Sequence, residues 1–548
     1  MMLNYNRARS PSCWDEEFDA VVIGFGCAGA CAAIEASDHG ARVLVIDRFT
    51  GGGATIRSGG VIYAGGGSAA QRSAGFKDSP DKMYRYLSHE TGGALDKKTL
   101  RAFCSMSLEN LVWLEKLGVS FPDTFYPGKT TQPPGGYGLY FSGNEMQFSK
   151  DEAPRGHVPL ANGMMSGAVF YRALKKGTLD RGVEIRYRCR SEKLILDERG
   201  AVIGMEILVL PNNFFIRLVH SLLFYLGFII RGCGPIMDVL EHGIGKISRI
   251  RIKGGVIICA GGFVFNRTMM REHARDYDGC MHLGTPADDG SGIELGQSAG
   301  GAVDAMYNCA ASRFICPPVA FVSGILVNQE GDRFCDETLY GATISRHISR
   351  QPRRRAHLVI DAKLFRMAQE QMKREDRLRD FTLKQILSGE MNALIFRKVT
   401  AFINMHINRN RALSVAALGK KCGMSPGSLE NTVERYNTRI TSGESDEFGK
   451  ARQFLQVLDE PPFYAIDCRL DSGKFPSPCL TLGGLRVDGL SSRVLRQDRS
   501  PVTGLYAAGR SAAGVCSRSY VSGLSLADCI YSGRRAGMSA ALAVRRKS

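Results

Sequence analysis

The sequence predicts an α/β protein of two domains, its first strand running into a glycine-rich turn and a helix, with an apolar segment inserted later. Three observations carry this. The chain has 548 residues, too many for one compact core. Residues 18–48, FDAVVIGFGCAGACAAIEASDHGARVLVIDR, read strand, helix, strand. Farther on, helical periodicity in FRMAQEQMKREDR and SLENTVERYNTRI accompanies the alternating strand SGILVNQEGDRF, whose turn falls at Glu330-Gly331. A hydrophobic content of 44% with 23% charged residues is globular and argues against disorder, and 63 glycines imply many turns and close backbone approaches.

The opening unit is the most specific. An apolar run, Ala20 to Ile23, meets Gly24-x-Gly26-x-x-Gly29; an alanine-rich helical stretch containing Ala28 follows, then Val43 to Ile46 ending at Asp47 and Arg48. Glycines at these positions let the backbone turn tightly and approach a pyrophosphate at a helix N-terminus, while Asp47 can accept hydrogen bonds from ribose hydroxyls. This is a Rossmann-like dinucleotide fingerprint, and alone it does not separate FAD from NAD. The next segment, GGGATIRSGGVIYAGGGS, provides Gly51 to Gly53, Thr55, Ser58, Gly59, Gly60 and Gly65 to Gly67, a second backbone cradle that a long cofactor needs.

That segment resembles the flavin loop of the fumarate reductase/3-ketosteroid dehydrogenase flavoprotein superfamily. GGVIICAGGFVFN (254–266), TPADDGSGIELGQSAGG (285–301) and TGLYAAGRSAAG (503–514) are similar to three further superfamily segments in the same order. The resemblance implies FAD, with further contacts at Ala260, Gly261, Asp289, Gly509, Gly523, Ser525 and Leu526. Quinol-coupled fumarate reductases tether FAD through a histidine in the flavin loop; none lies between Gly51 and Gly67, so the FAD is expected to be noncovalent. The resemblance also implies an FAD-binding domain assembled from both chain ends, 15–275 and 450–548, and an α+β catalytic cap at 276–449.

One stretch departs from that plan. PNNFFIRLVHSLLFYLGFIIRGCGPIMDVLEHGIGK, 211–246, stands where relatives make a short turn. Phe214 to Ile230 is nearly all apolar, interrupted by Arg217 and His220 and short for a span of about 20 residues, which disfavours a transmembrane helix. Two readings stay open. The segment lies in a membrane interface, flanked by Arg231, Lys246, Arg249 and Arg251 and with Arg217 and His220 reaching headgroups, or it is a lid buried against the cap or a second subunit. The formal charge of +17 favours the first, a peripheral position at the inner face of the membrane.

Other signals are mostly exclusions. The start, MMLNYNRARSPSCW, has no apolar secretory region, which fits a cytoplasmic protein. The 16 cysteines show no CxxC pair and no spacing with histidine that suits a metal. RQPRRRAH and the terminal RRKS are the densest basic runs; with no nucleic-acid module beside them, nucleic acid is not an expected partner.

The reaction turns on SRSYVSGLSL, 517–526. Removing hydrogen from a saturated carbon pair beside a ketone needs a base for the α-proton, a donor to polarise the carbonyl and a flavin to accept hydride. Within the superfamily, aligning Gly523 with the last glycine of the Δ1-dehydrogenase pattern Asn-Arg-Tyr-Pro-Gly-x-Gly puts Ser519 where that pattern has tyrosine. The Tyr-x-Ser of the 3-oxo-5α-steroid 4-dehydrogenases fits better, and those enzymes carry a cap tyrosine after a strand like GILVNQEGDRFCDETLYG. The resemblance thus implies Ser522 as the group abstracting a proton at C4, Tyr340 as its relay toward solvent, and Tyr520, with a backbone N–H near Gly523, as polariser of the C3 ketone. Tyr137 and Tyr140 are either pocket-lining or core residues. The alternatives are a Δ1-dehydrogenase, a fumarate- or urocanate-type reductase and a non-catalytic sterol-binding flavoprotein; the external electron acceptor is not legible.

Overall fold

The computed structural model describes residues 13–92, 96–133, 136–148, 150–160, 166–230, 233–375 and 398–545. Residues 1–12, Arg231, the end of FRMAQEQMKREDR (Asp376 and Arg377) and most of the terminal RRKS lie outside them.

Strands from both ends of the chain form one eight-stranded sheet: β1 (Glu16–Ile23), β2 (Val43–Asp47), β3 (Glu184–Tyr187), β4 (Cys189–Leu196), β5 (Val202–Val209), β6 (Lys246–Ile258), β7 (Arg493–Leu495) and β8 (Pro501–Ala507). The order is β7-β8-β6-β1-β2-β3, with β5 beside the first part of β6 and β4 beside β5. Neighbours from β8 across to β3 run parallel, whereas β6-β5, β5-β4 and β7-β8 are antiparallel. The sequence of β6 records this change. Its first residues are mostly exposed where β5 pairs with it, and Gly254–Ile258 is continuously buried where parallel strands flank it. Helix α1 (Cys27–Asp38) follows β1 through the first glycine turn.

The inserted segment occupies the turn of the β5–β6 hairpin, because Val209 and Lys246 are direct cross-strand partners. It forms two helices, α2 (Phe214–Leu226) and α3 (Cys233–Ile244), with Asn213 Oδ1 capping α2 by accepting from Phe215 N at 2.8 Å. Phe215, Leu218, Leu222 and Tyr225 share the outward side of α2; Phe214, Phe215 and Ile229 are 71%, 72% and 81% exposed. The expectation that Arg217 and His220 both reach outward needs correcting. Arg217 is exposed, but His220 is buried against the Phe49 ring with Nε2 3.0 Å from Glu241 Oε1, because it sits on the side of α2 that faces the body. Among the described residues no helix is long and apolar enough to cross a membrane.

The middle of the chain forms an antiparallel four-stranded sheet in the order Ile325–Asn328, Ala356–Ile360, Phe463–Asp467, Arg409–Ala412. Phe463–Asp467 joins it although it follows residue 449. The turn after Asn328 closes with Asn328 N donating to Asp332 O at 2.9 Å and Gly331 at φ +87°. Helices Ala362–Glu375 and Ser428–Thr441 fall where periodicity puts them, and α4 (Gly341–Ser349) starts immediately after Tyr340.

The last helix, α5 (Leu524–Arg545), lies against α1. A Cβ at Gly533 would sit 2.4 Å from Ala28 O, and one at Gly537 2.2 Å from Ala32 O. Only glycines opposite alanines permit that approach, which accounts for the alanine-rich composition of α1.

Candidate active site

One cavity of about 620 Å³ runs past the C-terminal ends of β1, β2 and β6, the position where open α/β sheets bind ligands. The first glycine turn sets its floor. Gly24 has φ +93°, and a Cβ there would stand 2.5 Å from Cys259 O, so the crossing of β1 and β6 excludes any side chain. No side chain caps α1 at Gly26; Cys27 N donates to Thr55 Oγ1 at 3.0 Å, and Gly26 and Ala28 line the cavity. An uncapped helix N-terminus framed by glycine backbone fits the pyrophosphate of a dinucleotide.

Asp47 ties the turns together. Its carboxylate accepts from Phe25 N and Phe49 N at 2.8 Å and from Gly51 N at 3.1 Å; burial pushes its pKa up against those three donors. Ser58 Oγ donates to Thr55 O at 2.7 Å and shapes the second cradle through Gly59 and Gly60. Arg48 is paired with Asp289 at 3.0 Å. The neighbouring Asp288 accepts from Gly262 N at 3.0 Å and Thr285 N at 2.8 Å and pairs with Arg510 at 2.6 Å.

Of the cofactor residues named from the sequence, Gly29, Gly52, Gly65 to Gly67 and Gly509 do not line this cavity, and the others do. Gly65 is closed in by Asp78, Met83 and Arg155, and Gly29 and Gly509 are packing positions. A Cβ at Gly29 would fall 1.9 Å from Gly24 O, and one at Gly509 2.9 Å from Ala28 Cβ, so both serve the contact of α1 with its surroundings.

Tyr340, Tyr520 and Ser522 line the same cavity. Ser522 lies in a turn held by its own N donating to Ser142 O at 3.2 Å and by Gly523, at φ +88°, whose Cβ would meet Tyr63 N at 2.8 Å. The Ser522 and Tyr140 hydroxyls are 3.2 Å apart, and Tyr140 Oη is also 3.2 Å from Thr131 O. Ser522 and Ser312 adjoin the Tyr340 phenol, and the Gly523 amide adjoins that of Tyr520. Tyr340 is positioned from behind: its N donates to Asn144 Oδ1 at 2.6 Å, and Asn144 Nδ2 donates to Glu90 and Thr343, each at 3.0 Å. Burial pushes the Tyr520 phenol up to about 12 and raises Tyr140 and Tyr340 as well. At neutral pH these tyrosines are therefore donors, and the cluster can polarise a carbonyl and pass a proton without an ionised side chain.

Tyr137 stands apart, its ring 5.2 Å from Tyr126. The sequence reading did not anticipate the Tyr140–Ser522 bond, Ser312, Arg510, or the wall formed by Arg190 of β4 with Phe224 and Phe228 of the insertion. Only the last had a usable signal: His220, Phe224 and Phe228 recur at helical spacing opposite the outward apolar side. Among the described residues no group of three His, Cys, Asp or Glu side chains could hold a metal.

Residues 19–523 match the family model described as FAD binding domain. The chain is 34% identical over 510 residues to 3-oxo-5-alpha-steroid 4-dehydrogenase of Comamonas testosteroni, covering 90% of this chain and 93% of that one. Among solved structures it is similar to 3-ketosteroid-delta4-(5alpha)-dehydrogenase from Rhodococcus jostii in complex with 4-androstene-3,17-dione, at TM-score 0.79 and 31% identity, covering 98% of this chain and all of that one. A 3-ketosteroid delta1-dehydrogenase from Sterolibacterium denitrificans shares the fold at TM-score 0.64 and 18% identity, over 96% and 100% of the two chains.

Proposed function

Because the chain belongs to the FAD-binding domain family, we propose that it is an FAD-dependent oxidoreductase that introduces a C4–C5 double bond into 3-ketosteroids. The observation that carries this is the convergence of Tyr520-x-Ser522 with Tyr340 on the cavity of the glycine cradles, in a chain similar to steroid 4-dehydrogenases along nearly its whole length. When bound, FAD supplies the acceptor for the hydride that leaves C5. The backbone around Gly24, Gly26 and Ala28 would hold its pyrophosphate, and the cradle at Gly53, Thr55, Ser58, Gly59 and Gly60, with Ala260, Gly261, Ser525 and Leu526, the rest. No histidine lies in Gly51–Gly67, which supports noncovalent binding.

The protein's own residues do the proton chemistry. Tyr520 and the Gly523 amide donate to the C3 carbonyl oxygen, making the C4 proton acidic. Ser522 takes that proton and gives up its own hydrogen to the Tyr340 phenol that adjoins it. The single Tyr140 hydrogen lies within reach of both Ser522 Oγ and Thr131 O, so Tyr140 holds the serine oxygen from the side away from Tyr340. Tyr340 passes its hydrogen on past Ser312, and a bound flavin, once reduced, would be reoxidised by an external acceptor.

We assign residues 15–275 and 450–548 to the FAD-binding domain and 276–449 to the cap, whose sheet is completed by Phe463–Asp467. The outward apolar side of α2, with Arg217, Lys246 and Arg249 exposed nearby, supports a peripheral place on an anionic membrane facing the cytoplasm. Vesicles rich in anionic lipid are expected to sediment the protein, and salt to release it only in part. A monodisperse dimer staying in the supernatant would make that side a subunit interface.

The deciding experiment is anaerobic. A 5α-3-ketosteroid is expected to bleach the bound flavin and yield the 4-ene product. A C1–C2 double bond would move the chain to the Δ1 enzymes, and a flavin reoxidised by fumarate or urocanate but untouched by steroids would make it a reductase.

A further inference from the structure

We infer that the α2–α3 hairpin is a clamp on the adenosine half of FAD, governing how slowly the cofactor leaves and how strongly it is preferred over FMN. The direction of the cavity supplies the first step. The N-terminus of α1 takes the pyrophosphate, so whatever lies beyond Asp47 at the end of β2 faces ribose and adenine. The hairpin sits there.

Its inward side is aromatic. The Phe224 ring is 4.5 Å from that of Phe49, and the Arg57 guanidinium lies over Phe228 at 4.2 Å. Phe49, Arg57, Phe224 and Phe228 all line the cavity, so the hairpin roofs it with flat apolar surface suited to a purine. Beneath that roof is an ionic latch. Arg48 holds Glu241 at 2.9 Å and Asp238 at 2.6 Å; Arg190 of β4 holds the same two carboxylates at 3.1 and 2.6 Å. His220 bonds the other Glu241 oxygen at 3.0 Å, and Arg48 reaches across to Asp289 at 3.0 Å. Burial alone would raise Glu241; His220, Arg48 and Arg190 instead hold it down to about 2.

The latch joins the hairpin to the end of β2, to β4 and to the Asp289 loop, three walls of one cavity. Scaffolding of the sheet does not call for it, since Val209 and Lys246 already pair and a short turn would close β5 onto β6. Two carboxylates, Asp238 and Glu241, shared by Arg48 and Arg190 at the wall of a ligand cavity are arranged to keep a roof shut over what the cavity holds.

The test replaces residues 211–245 with a Gly-Ser turn and follows release of FAD, after dilution of the holoprotein, by the rise of free-flavin fluorescence. Release at least about tenfold faster is expected, with FAD affinity falling and FMN affinity unchanged, because FMN has no adenosine half. Glu241→Gln and Phe228→Ala in the full chain are expected to give smaller shifts in the same direction, and they decide the matter if the shortened chain does not fold. Unchanged FAD release and an unchanged FAD-to-FMN preference would overturn the clamp. The inference rests on the FAD assignment and not on the steroid, so its failure leaves the anaerobic steroid test untouched.

Discussion

The two ends of the cavity are built from different materials. Around α1 the ligand surface is backbone: Gly24, Gly26, Gly53, Gly59 and Gly60 bring the main chain within reach, and arginine–carboxylate pairs close the far side. Around Ser522 it is hydroxyl: Tyr140 and Tyr340 adjoin the serine, and Tyr520 and Ser312 line the same part of the cavity. The first end suits an anionic group that must be held and not changed. The second suits a neutral, apolar molecule from which one proton is removed, where an ionised side chain would carry a heavy desolvation cost.

The sharpest way to break the comparison is at the backbone end. Gly26→Val is expected to abolish FAD binding while leaving the fold intact, since a Cβ there meets only Thr55 Oγ1 at 3.5 Å and Gly52 O at 3.8 Å, and the rest of valine takes cavity space. Gly24→Ala should behave differently. Its Cβ would stand 2.5 Å from Cys259 O at a positive φ, so thermal stability should fall along with flavin content. Flavin absorbance per protein and melting temperature, measured together, separate the two. A Gly26→Val protein that purifies fully yellow would remove this turn from the cofactor site.

The same contrast explains what was legible in the sequence. A dinucleotide turn is local: strand, glycines at fixed spacing, small-residue helix and closing acid all lie between Ala20 and Asp47, so pattern alone locates it. Even there, the pattern does not separate every glycine that touches ligand from one that touches protein: Gly29 is closed in by the Gly24 carbonyl of its own turn, whereas Gly509 packs against Ala28 of α1 and Cys529 of α5, a contact made only when the two chain ends meet. The hydroxyl end is not local. Tyr140 and Ser522 are 382 residues apart, and no periodicity around GGYGLYFSG distinguishes a tyrosine bonded to a serine from one packed in a core. His220 shows the limit from another side. In an apolar run it reads as a break that should reach water, but Glu241, one helix later, gives it a buried partner.

The hydroxyl end admits a graded test, and the grading is its content. Ser522→Ala and Tyr520→Phe each remove a group that the proposed mechanism puts on the reacting ketosteroid, so each should slow anaerobic flavin reduction roughly 100-fold, the scale of a lost proton-transfer or polarising group. Tyr140→Phe should do far less. It leaves the Ser522 hydroxyl in place and removes only the phenol hydroxyl that donates to it, 3.2 Å away. A single hydrogen bond between neutral groups contributes about 0.5–1.5 kcal/mol, and 1.4 kcal/mol is a factor of ten, so the expected loss in rate is between about twofold and tenfold with flavin content unchanged. Ser522 keeps its contact with Tyr340, which keeps the loss small. If Tyr140→Phe instead matches Ser522→Ala, the two hydroxyls act as one unit and Tyr140 is the principal exit for the proton. If it has no effect at all, the orientation of Ser522 is set from the Tyr340 side, and the Tyr140 bond is packing.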